Sequence, residues 1–349
     1  MGKGVAREGL LWPKLRGYWH PVAFAEDADD GPLAVTLLDE RVAVCRIGGQ
    51  VRAFRDLCVH RGTPVSLGWV QDDTLVCAYH GWAYREDGRC VRIPSIPPKH
   101  PIPKKACLTP YHATERYGLL WVCLAEKPRI PIPDVPEFED PAYRVMFRQK
   151  KTWDCSAARA IENFFDLAHF PWIHEGILGD RDHPLAPEVN VSREGELIRV
   201  VVDNPADAVH SVAHKRNYRI TRPFFIHQRK EEAGDKTETY IFTCLPHSTS
   251  ETTRFMLMMR NFNLDTPEYK HAPYTMRGDE VTSPVRGFRG KLPKYVATHN
   301  QIGEQDRVIV ERQRPEELPL DLAEEFHLKG PDAMALAYRR ALGELGVEA

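Results

Sequence analysis

The chain carries Cys58-Val59-His60-Arg61-Gly62 and, with sixteen residues between His60 and the next cysteine, Cys77-Ala78-Tyr79-His80-Gly81-Trp82. Each stretch places one cysteine close to one histidine, and together they form the pattern C-x-H-x16-C-x2-H. Two thiolates and two imidazoles in this order suit a [2Fe–2S] cluster in which the cysteines hold one iron and the histidines hold the other. Such mixed ligation raises the reduction potential above that of an all-cysteine cluster, so the pattern predicts a site for single-electron transfer.

A structural zinc site is the main alternative for these four residues, because zinc fingers also use two cysteines and two histidines. Zinc fingers usually group the cysteines and then the histidines, whereas here each cysteine is followed by its own histidine. Gly62 and Gly81 suit a close approach of the loop backbone to a cluster. We therefore favour the iron–sulfur cluster. We expect the remaining cysteines to be small buried thiols: Cys45, Cys90, Cys107, Cys123, Cys155 and Cys244.

The composition is typical of a soluble globular protein, since 28% of the 349 residues are charged and 42% are hydrophobic. This length allows about two domains. The formal net charge of -2 gives no reason to expect binding to nucleic acid or to an anionic membrane. No apolar run could span a bilayer, and the first residues lack the apolar segment of a secretory signal. We therefore expect a reducing, cytoplasmic location.

Residues 17–135 are predicted to form an all-β domain with the two cysteine–histidine segments in its loops. Gly48-Gly49 and Asp87-Gly88 supply hairpin turns. The proline-rich stretch 127–136 marks the end of the domain, because serial prolines cannot continue a helix or a central strand. The clearest predicted strands are Leu33–Leu38, Val42–Ile47, Val51–Phe54 and Leu119–Leu124.

Residues 136–349 are predicted to form a second domain, on which the N-terminal segment 1–16 packs. Segments that alternate or are rich in β-branched residues predict an antiparallel sheet over 189–202, 217–229, 238–246 and 252–263. Helices are predicted at Ala157–Phe170, Tyr295–Arg314 and Asp332–Leu345.

More ligand-type side chains lie in Glu162-Asn163-Phe164-Phe165-Asp166-Leu167-Ala168-His169-Phe170-Pro171-Trp172-Ile173-His174. Asp166 and His169 are three residues apart and would share one face of the predicted helix. Pro171 should break or end that helix, which would let His169 and His174 converge. Two histidines with one carboxylate hold non-haem Fe(II) and leave positions open for O2 and substrate. The upstream cluster strengthens this interpretation because it could supply that iron with electrons.

The third ligand of such a site would be a carboxylate from further along the chain. Asp306 and Glu304 are both candidates. From the residues alone, Asp279, Glu280 and Glu311 also stay open as alternatives.

The two motifs, in this order, resemble those of the Rieske non-haem iron oxygenases, catalytic (alpha) subunit, over nearly the whole chain. The family's C-terminal carboxylate sits in a D-x4-E-R-Q-like stretch, and the match of Asp306–Gln313 to it favours Asp306 as the third iron ligand. The resemblance implies that Asp166 bridges His169 of its own subunit and His80 of a neighbour, and that Asn163 helps to orient the site. The implied fold class is α+β, with an all-β Rieske [2Fe–2S] domain and a helix-grip-like catalytic domain containing an antiparallel sheet.

The resemblance is greatest to the homomeric class that includes caffeine-type N-demethylases and saxitoxin-pathway hydroxylases. It implies a monooxygenase that hydroxylates, or oxidatively N- or O-demethylates, a small aromatic or N-heterocyclic compound. NAD(P)H would act only through a flavin and iron–sulfur reductase, directly or through a ferredoxin, and the assembly would be a homotrimer. The alternatives are a ring cis-dihydroxylating dioxygenase subunit and an electron carrier without oxygenase activity. Candidate pocket residues are Phe224, Phe225, Phe242, Met256, Met258 and Phe262.

Overall fold

The computed structural model describes residues 8–204, 213–267, 269–283 and 293–347. The chain divides into a first compact unit, Pro13–Ile132, and a second that begins at Pro133 and includes the segment ending at Trp12. Of the N-terminal segment expected to pack on the second domain, residues 1–7 lie outside the described residues. The Gly9 N–H donates to Glu317 Oε2 at 2.7 Å. No described helix is long and apolar enough to cross a membrane.

The first unit is built from two antiparallel sheets. Its strands are β1 (His20–Phe24), β2 (Leu33–Leu37), β3 (Glu40–Ile47), β4 (Gln50–Arg55), β5 (Trp69–Gln71), β6 (Thr74–Val76), β7 (Ala83–Tyr84), β8 (Cys90–Arg92), β9 (Pro110–Arg116) and β10 (Leu119–Cys123). One sheet has the order β1-β10-β9-β4-β3-β2 and the other β5-β6-β7-β8. Gly48 and Gly49 turn the β3–β4 hairpin at φ of 57° and 73°, which glycine adopts without strain.

The core of the first unit lies beneath the two cysteine–histidine loops. One loop follows β4, and the other joins β6 to β7. Phe54 and Tyr84 are fully buried in the same apolar cluster as Cys58 and Cys77. The loops are therefore anchored by their cysteines in the core. The expectation of buried thiols fails for Cys107, which is only half-buried.

The second unit contains a nine-stranded sheet. Its strands are β11 (Arg144–Trp153), β12 (Val189–Glu194), β13 (Leu197–Asn204), β14 (His214–Thr221), β15 (Phe225–Glu232), β16 (Lys236–Ser248), β17 (Glu251–Arg260), β18 (Tyr274–Arg277) and β19 (Glu280–Thr282). The order is β12-β13-β14-β15-β16-β17-β11-β18-β19. All pairs are antiparallel except β11–β18. The predicted α+β class with an antiparallel sheet is confirmed.

One face of this sheet, here called the cavity face, is set by strand register. Side chains alternate between the two faces of a strand, so Arg254 and Met256 of β17 lie on the same side. Met256 pairs with Phe242 of β16 and with Gln149 of β11. These four residues define the cavity face, and all four line the same cavity.

The described residues form five α-helices, of which only the last two are long. The helices are α1 (Trp12–Leu15), α2 (Ala157–Asn163), α3 (Phe170–Ile173), α4 (Lys294–Val310) and α5 (Ala333–Val347). Helix α4 packs on the sheet through Tyr295, whose hydroxyl donates to the Met146 carbonyl at 3.1 Å, and through His299, which lies 5.8 Å from Phe147 between ring centres. This packing brings the middle of α4 to the cavity face.

The predicted helix Ala157–Phe170 is wrong in its second half, because α2 ends at Asn163. Asp166 and His169 therefore lie in the turn between α2 and α3 and not on one helical face. The Asp166 Oδ1 accepts the Ala168 N–H at 2.9 Å, a local bond that competes with helical pairing. Pro171 also acts differently from the prediction, since it lies in the first turn of α3 and does not end a helix.

Candidate functional site

The two cysteine–histidine loops share one backbone pattern. Gly62 N–H donates to the Cys58 carbonyl and Gly81 N–H to the Cys77 carbonyl, both at 2.9 Å. Both glycines adopt positive φ, 71° and 68°, which lets each loop reverse within two residues of its histidine. The sequence thus builds two matching turns that each present one sulfur and one imidazole.

The sulfurs are more buried than the imidazoles. Cys58 and Cys77 are 3% and 1% exposed, while His60 is half-buried and His80 is exposed. The His60 and His80 rings lie 4.5 Å apart, and the buried Nδ1 of His60 has no hydrogen-bond partner. An imidazole nitrogen left without a partner beside a second imidazole and two thiols fits a metal-ligand position. This arrangement matches a cluster whose cysteine-bound iron is buried and whose histidine-bound iron is near the surface.

The sulfurs have hydrogen-bond partners in the loop backbone and in Tyr84, a residue that the sequence motifs did not predict. The Tyr84 hydroxyl lies 3.1 Å from Cys58 Sγ, and the Tyr79 and His80 N–H groups donate to Cys77 Sγ. Burial raises the pKa of the Cys77 thiol, and these backbone donors oppose that rise. Hydrogen bonds to the sulfurs tune the potential of an iron–sulfur cluster. The only sequence signal for Tyr84 was its position two residues beyond the second motif.

Three side chains of the second unit converge on one point. His169 Nε2 lies 3.2 Å from His174 Nε2, and Asp306 Oδ1 lies 3.3 Å from the first and 2.9 Å from the second. His174 and Asp306 are buried. These are the ligand types of a two-histidine, one-carboxylate metal site.

The far sides of both imidazoles are held by acceptors. His169 Nδ1 lies 3.2 Å from Asp166 Oδ2, and His174 Nδ1 lies 2.9 Å from Gln305 Oε1. In the neutral, metal-binding form of each imidazole, Nδ1 therefore carries the proton, which leaves an Nε2 lone pair on each ring facing the other ring and the Asp306 carboxylate. Three converging lone pairs repel one another unless a cation lies between them, so the donor set fits a divalent metal ion.

The pKa values of His169 and Asp306 show that a positive charge is favoured at the point where the three side chains meet. Burial alone would lower the pKa of His169, but Asp166 and Asp306 outweigh it and raise the pKa to about 9. Burial alone would raise the pKa of Asp306, but bonds from His169 and His174, with the charge of Arg254, lower it. Asn163 Nδ2 also donates to Asp306 Oδ1 at 3.2 Å, which helps to fix the carboxylate.

The competing carboxylates are engaged elsewhere. Glu304 pairs with Lys151 and Arg307, and Asp279 also pairs with Lys151. Glu311 pairs with Arg307 at 2.9 Å. Glu280 begins the short edge strand β19 and is exposed. Of the five candidates, the structure brings only Asp306 to the two histidines.

A tight backbone contact holds the segment that follows His174. A Cβ added to Gly179 would lie 2.5 Å from the Pro171 nitrogen, so only glycine fits there without displacing backbone. Gly176 N–H also donates to the Gly179 carbonyl at 2.8 Å. This contact folds residues 176–179 back against α3, the helix that separates His169 from His174 in the chain.

The three converging side chains lie at the wall of a cavity of about 160 Å³. Its walls include Phe164, Phe170 and Leu178, with Gln149 and Arg254 among the polar side chains. Two of the six candidate pocket residues, Phe242 and Met256, line it. The other four do not: Phe224, Phe225, Met258 and Phe262.

Comparisons with known proteins agree with both units. The Rieske [2Fe–2S] domain model matches residues 18–112, and the vanillate O-demethylase oxygenase C-terminal domain model matches residues 153–275. The chain is 31% identical to the methylxanthine N1-demethylase NdmA of Pseudomonas putida over 343 residues, which is 95% of this chain and 89% of that protein.

Solved structures extend the likeness to three dimensions. The structure of Pseudomonas putida NdmA with caffeine superposes with a TM-score of 0.82 at 29% identity, covering 97% of this chain and 93% of that one. Dicamba monooxygenase bound to dicamba shares the fold, with a TM-score of 0.75 at 22% identity over 95% of this chain and 98% of that one. The chain therefore belongs to the Rieske non-haem iron oxygenases, as a catalytic (alpha) subunit of that family.

Proposed function

We propose that this chain is a monooxygenase that uses O2 and reductase-supplied electrons to hydroxylate, or oxidatively N- or O-demethylate, a small aromatic or N-heterocyclic compound. The observation that carries the proposal is the convergence of His169, His174 and Asp306 at the wall of a cavity with aromatic sides. The similar NdmA is named for N-demethylation of methylxanthines, which supports the demethylation branch.

In this proposal two metal centres share the chain. The cluster ligands are Cys58, His60, Cys77 and His80, and the ligands of a mononuclear Fe(II) are His169, His174 and Asp306. With Fe(II) bound, this donor set would support insertion of one oxygen atom of O2 into a substrate C–H bond, while two electrons from the reductase and two protons convert the other oxygen atom to water. If the carbon is an N- or O-methyl group, the hydroxymethyl product releases formaldehyde and leaves the demethylated compound.

The protein's own side chains hold and orient this chemistry. Asp166 and Gln305 fix the Nδ1 protons of the two histidines, so both Nε2 lone pairs stay directed at the metal position. Asn163 donates to Asp306 and limits its rotation. Phe164 and Phe242, whose rings stack at 3.9 Å, form an apolar wall that excludes water from the substrate.

Asp166 is proposed to carry electrons between subunits. Its Oδ2 contacts His169, yet its side chain is 40% exposed and can accept a second donor. His80 is exposed on its own unit and could provide that donor from a neighbouring subunit. We propose a homotrimer in which each cluster serves the next subunit's iron, in the cytoplasm, with electrons from a flavin and iron–sulfur reductase.

The first test is metal content together with product. The purified chain should contain about three Fe and two inorganic sulfides, and it should release formaldehyde from some methylated aromatic or N-heterocyclic compound in the presence of a reductase. Replacement of His169 by Ala should keep the cluster's visible spectrum, reduce iron to about two per chain and lower turnover at least about 100-fold. His183 is exposed, so His183→Ala is the matched control and should keep the iron content and the turnover of the wild type.

Other outcomes separate the alternatives. A cis-diol product would indicate the dioxygenase. A wild-type chain with about two Fe and no turnover would indicate an electron carrier, whereas zinc in place of iron would refute the whole proposal. Undiminished turnover in His169→Ala would remove that residue from the site.

A further inference from the structure

Arg254 of β17 is a buried guanidinium with no hydrogen-bond acceptor among the described residues. The residue is 6% exposed, and its Nε is buried without a partner. Its guanidinium carbon lies 3.4 Å from the Trp153 ring centre and 4.1 Å from that of Phe164. The two rings cover the faces of the guanidinium and attract its charge. They leave the in-plane N–H groups unsatisfied.

Nearby carboxylates do not satisfy these N–H groups. Asp306 Oδ1 faces the two iron-site histidines and accepts from Asn163, and no hydrogen bond among the described residues joins it to Arg254. Glu304 is engaged by Lys151 and Arg307. Burial lowers the pKa of Arg254 to about 10, so the group is still cationic at neutral pH.

An unpaired buried cation is costly unless a ligand compensates it. Arg254 lines the same cavity as His169, His174 and Asp306. A guanidinium held between two rings presents a planar, forked edge, which is the geometry that binds a carboxylate through two parallel N–H···O bonds. The apolar wall beside this edge, formed by Phe164 with Phe242 stacked on it and Met256, suits a flat ring.

We propose that Arg254 binds an anionic group of the substrate, so that the substrate is an aromatic or heteroaromatic carboxylate or a similar ring-bound oxyanion. The inference deepens the proposed function, because it uses the same cavity and depends on that cavity being the substrate site. Arg254 would act as a specificity-determining residue that places the ring against Phe164 and Phe242, near the iron ligands.

The test is equilibrium binding to the metal-loaded chain, which needs no turnover. The probes are acid–amide pairs of equal shape: para-methoxybenzoate with para-methoxybenzamide, and nicotinate with nicotinamide. Calorimetry should show at least one acid binding about 10- to 100-fold more tightly than its amide, the range expected for hydrogen bonds to a charged group. Arg254→Met should abolish this preference, whereas Arg254→Lys should retain part of it, since an ammonium keeps the charge but loses the fork.

Arg216 of β14 provides the matched control. It is also 6% exposed and lines the same cavity, but β15 and β16 separate its strand from β17. Arg216→Met should leave the acid–amide ratio of the wild type unchanged. Iron content and the cluster spectrum are measured for every variant to identify any that has lost its structure. If Arg254→Met has done so, Arg254→Lys decides whether Arg254 causes the acid preference.

Any of four results would overturn the assignment. Two are that the wild-type chain binds no acid better than its amide, and that the acid preference survives in Arg254→Met. The others are that Arg254→Lys loses the preference completely with both metal centres intact, and that Arg216→Met removes it. Formaldehyde release from neutral methylated compounds, measured separately, would then show that the proposed monooxygenase function stands although the anion site does not.

Discussion

Replacement of Tyr84 by Phe is expected to lower the reduction potential of the cluster. Tyr84 is fully buried, and its hydroxyl lies 3.1 Å from Cys58 Sγ. Burial raises the pKa of Tyr84, so the hydroxyl stays protonated and can donate to the sulfur. Reduction adds negative charge to the cluster, which strengthens this hydrogen bond in the reduced state more than in the oxidised state.

The size of the effect follows from that difference. A hydrogen bond to a charged group contributes roughly 1 kcal/mol more than a neutral one. For one electron, about 1.4 kcal/mol corresponds to about 59 mV, so Tyr84→Phe should lower the potential by about 40 mV. A redox titration followed by visible circular dichroism measures it. The control is Tyr79→Phe, because Tyr79 is 63% exposed beside the same loop.

The reasoning would be refuted by an unchanged or higher potential in Tyr84→Phe at full cluster occupancy. An equal shift in Tyr79→Phe would also refute it, since that result would show a general effect of the substitution and not the loss of one bond to sulfur.

Two further predictions concern stability. The buried Arg339 binds both Glu162 oxygens at 2.6 Å and Glu325 at 2.6 Å. Arg339→Met should therefore lower the free energy of unfolding by about 3–5 kcal/mol and Tm by roughly 10 °C, whereas replacement of the exposed Arg340 by Met should change neither. Equal small losses of Tm in the two variants, measured by calorimetry, would contradict this prediction. Burial lowers the pKa of His20 from 6.5 to about 4. Between pH 6.5 and pH 4 the unfolded state therefore binds more protons than the folded state, and the free energy of unfolding falls as the pH drops. Urea unfolding should show about 2 kcal/mol lost from this group between pH 7.5 and pH 5, and His20→Gln should flatten that slope; an identical slope would exclude His20 as its source.

Local spacing predicted the convergence of two histidines correctly but the helix around them incorrectly. His169 and His174 converge as the sequence suggested, but the single helix over residues 157–170 does not form. The sequence pattern missed that the Asp166 side chain bonds to the Ala168 N–H and satisfies the backbone in a turn. The convergence therefore comes from two short elements and the turn between them.

Local sequence patterns did not rank the carboxylates that could join the two histidines, and only the resemblance to a family favoured Asp306. Asp306, Glu304 and Glu311 lie within one helical stretch, and only the packing of α4 on the sheet decides which of them faces the histidines. The pocket candidates failed in the same way, because Phe242 and Met258 are both apolar strand residues and only Phe242 lines the cavity.

The amino-acid pattern alone was enough to predict the α+β class, and to place the two cysteine–histidine pairs and the two histidines of the second unit in separate groups. These depend on short spacings and on local periodicity, which act within one loop or one strand. The tertiary structure decided that Asp306 joins the histidines, that Tyr84 reaches a cysteine sulfur, and that Arg254 is buried without an acceptor at the cavity wall. Those contacts join different loops, strands and helices, several of them a hundred or so residues apart, so they follow from packing between elements and not from the pattern within any one of them.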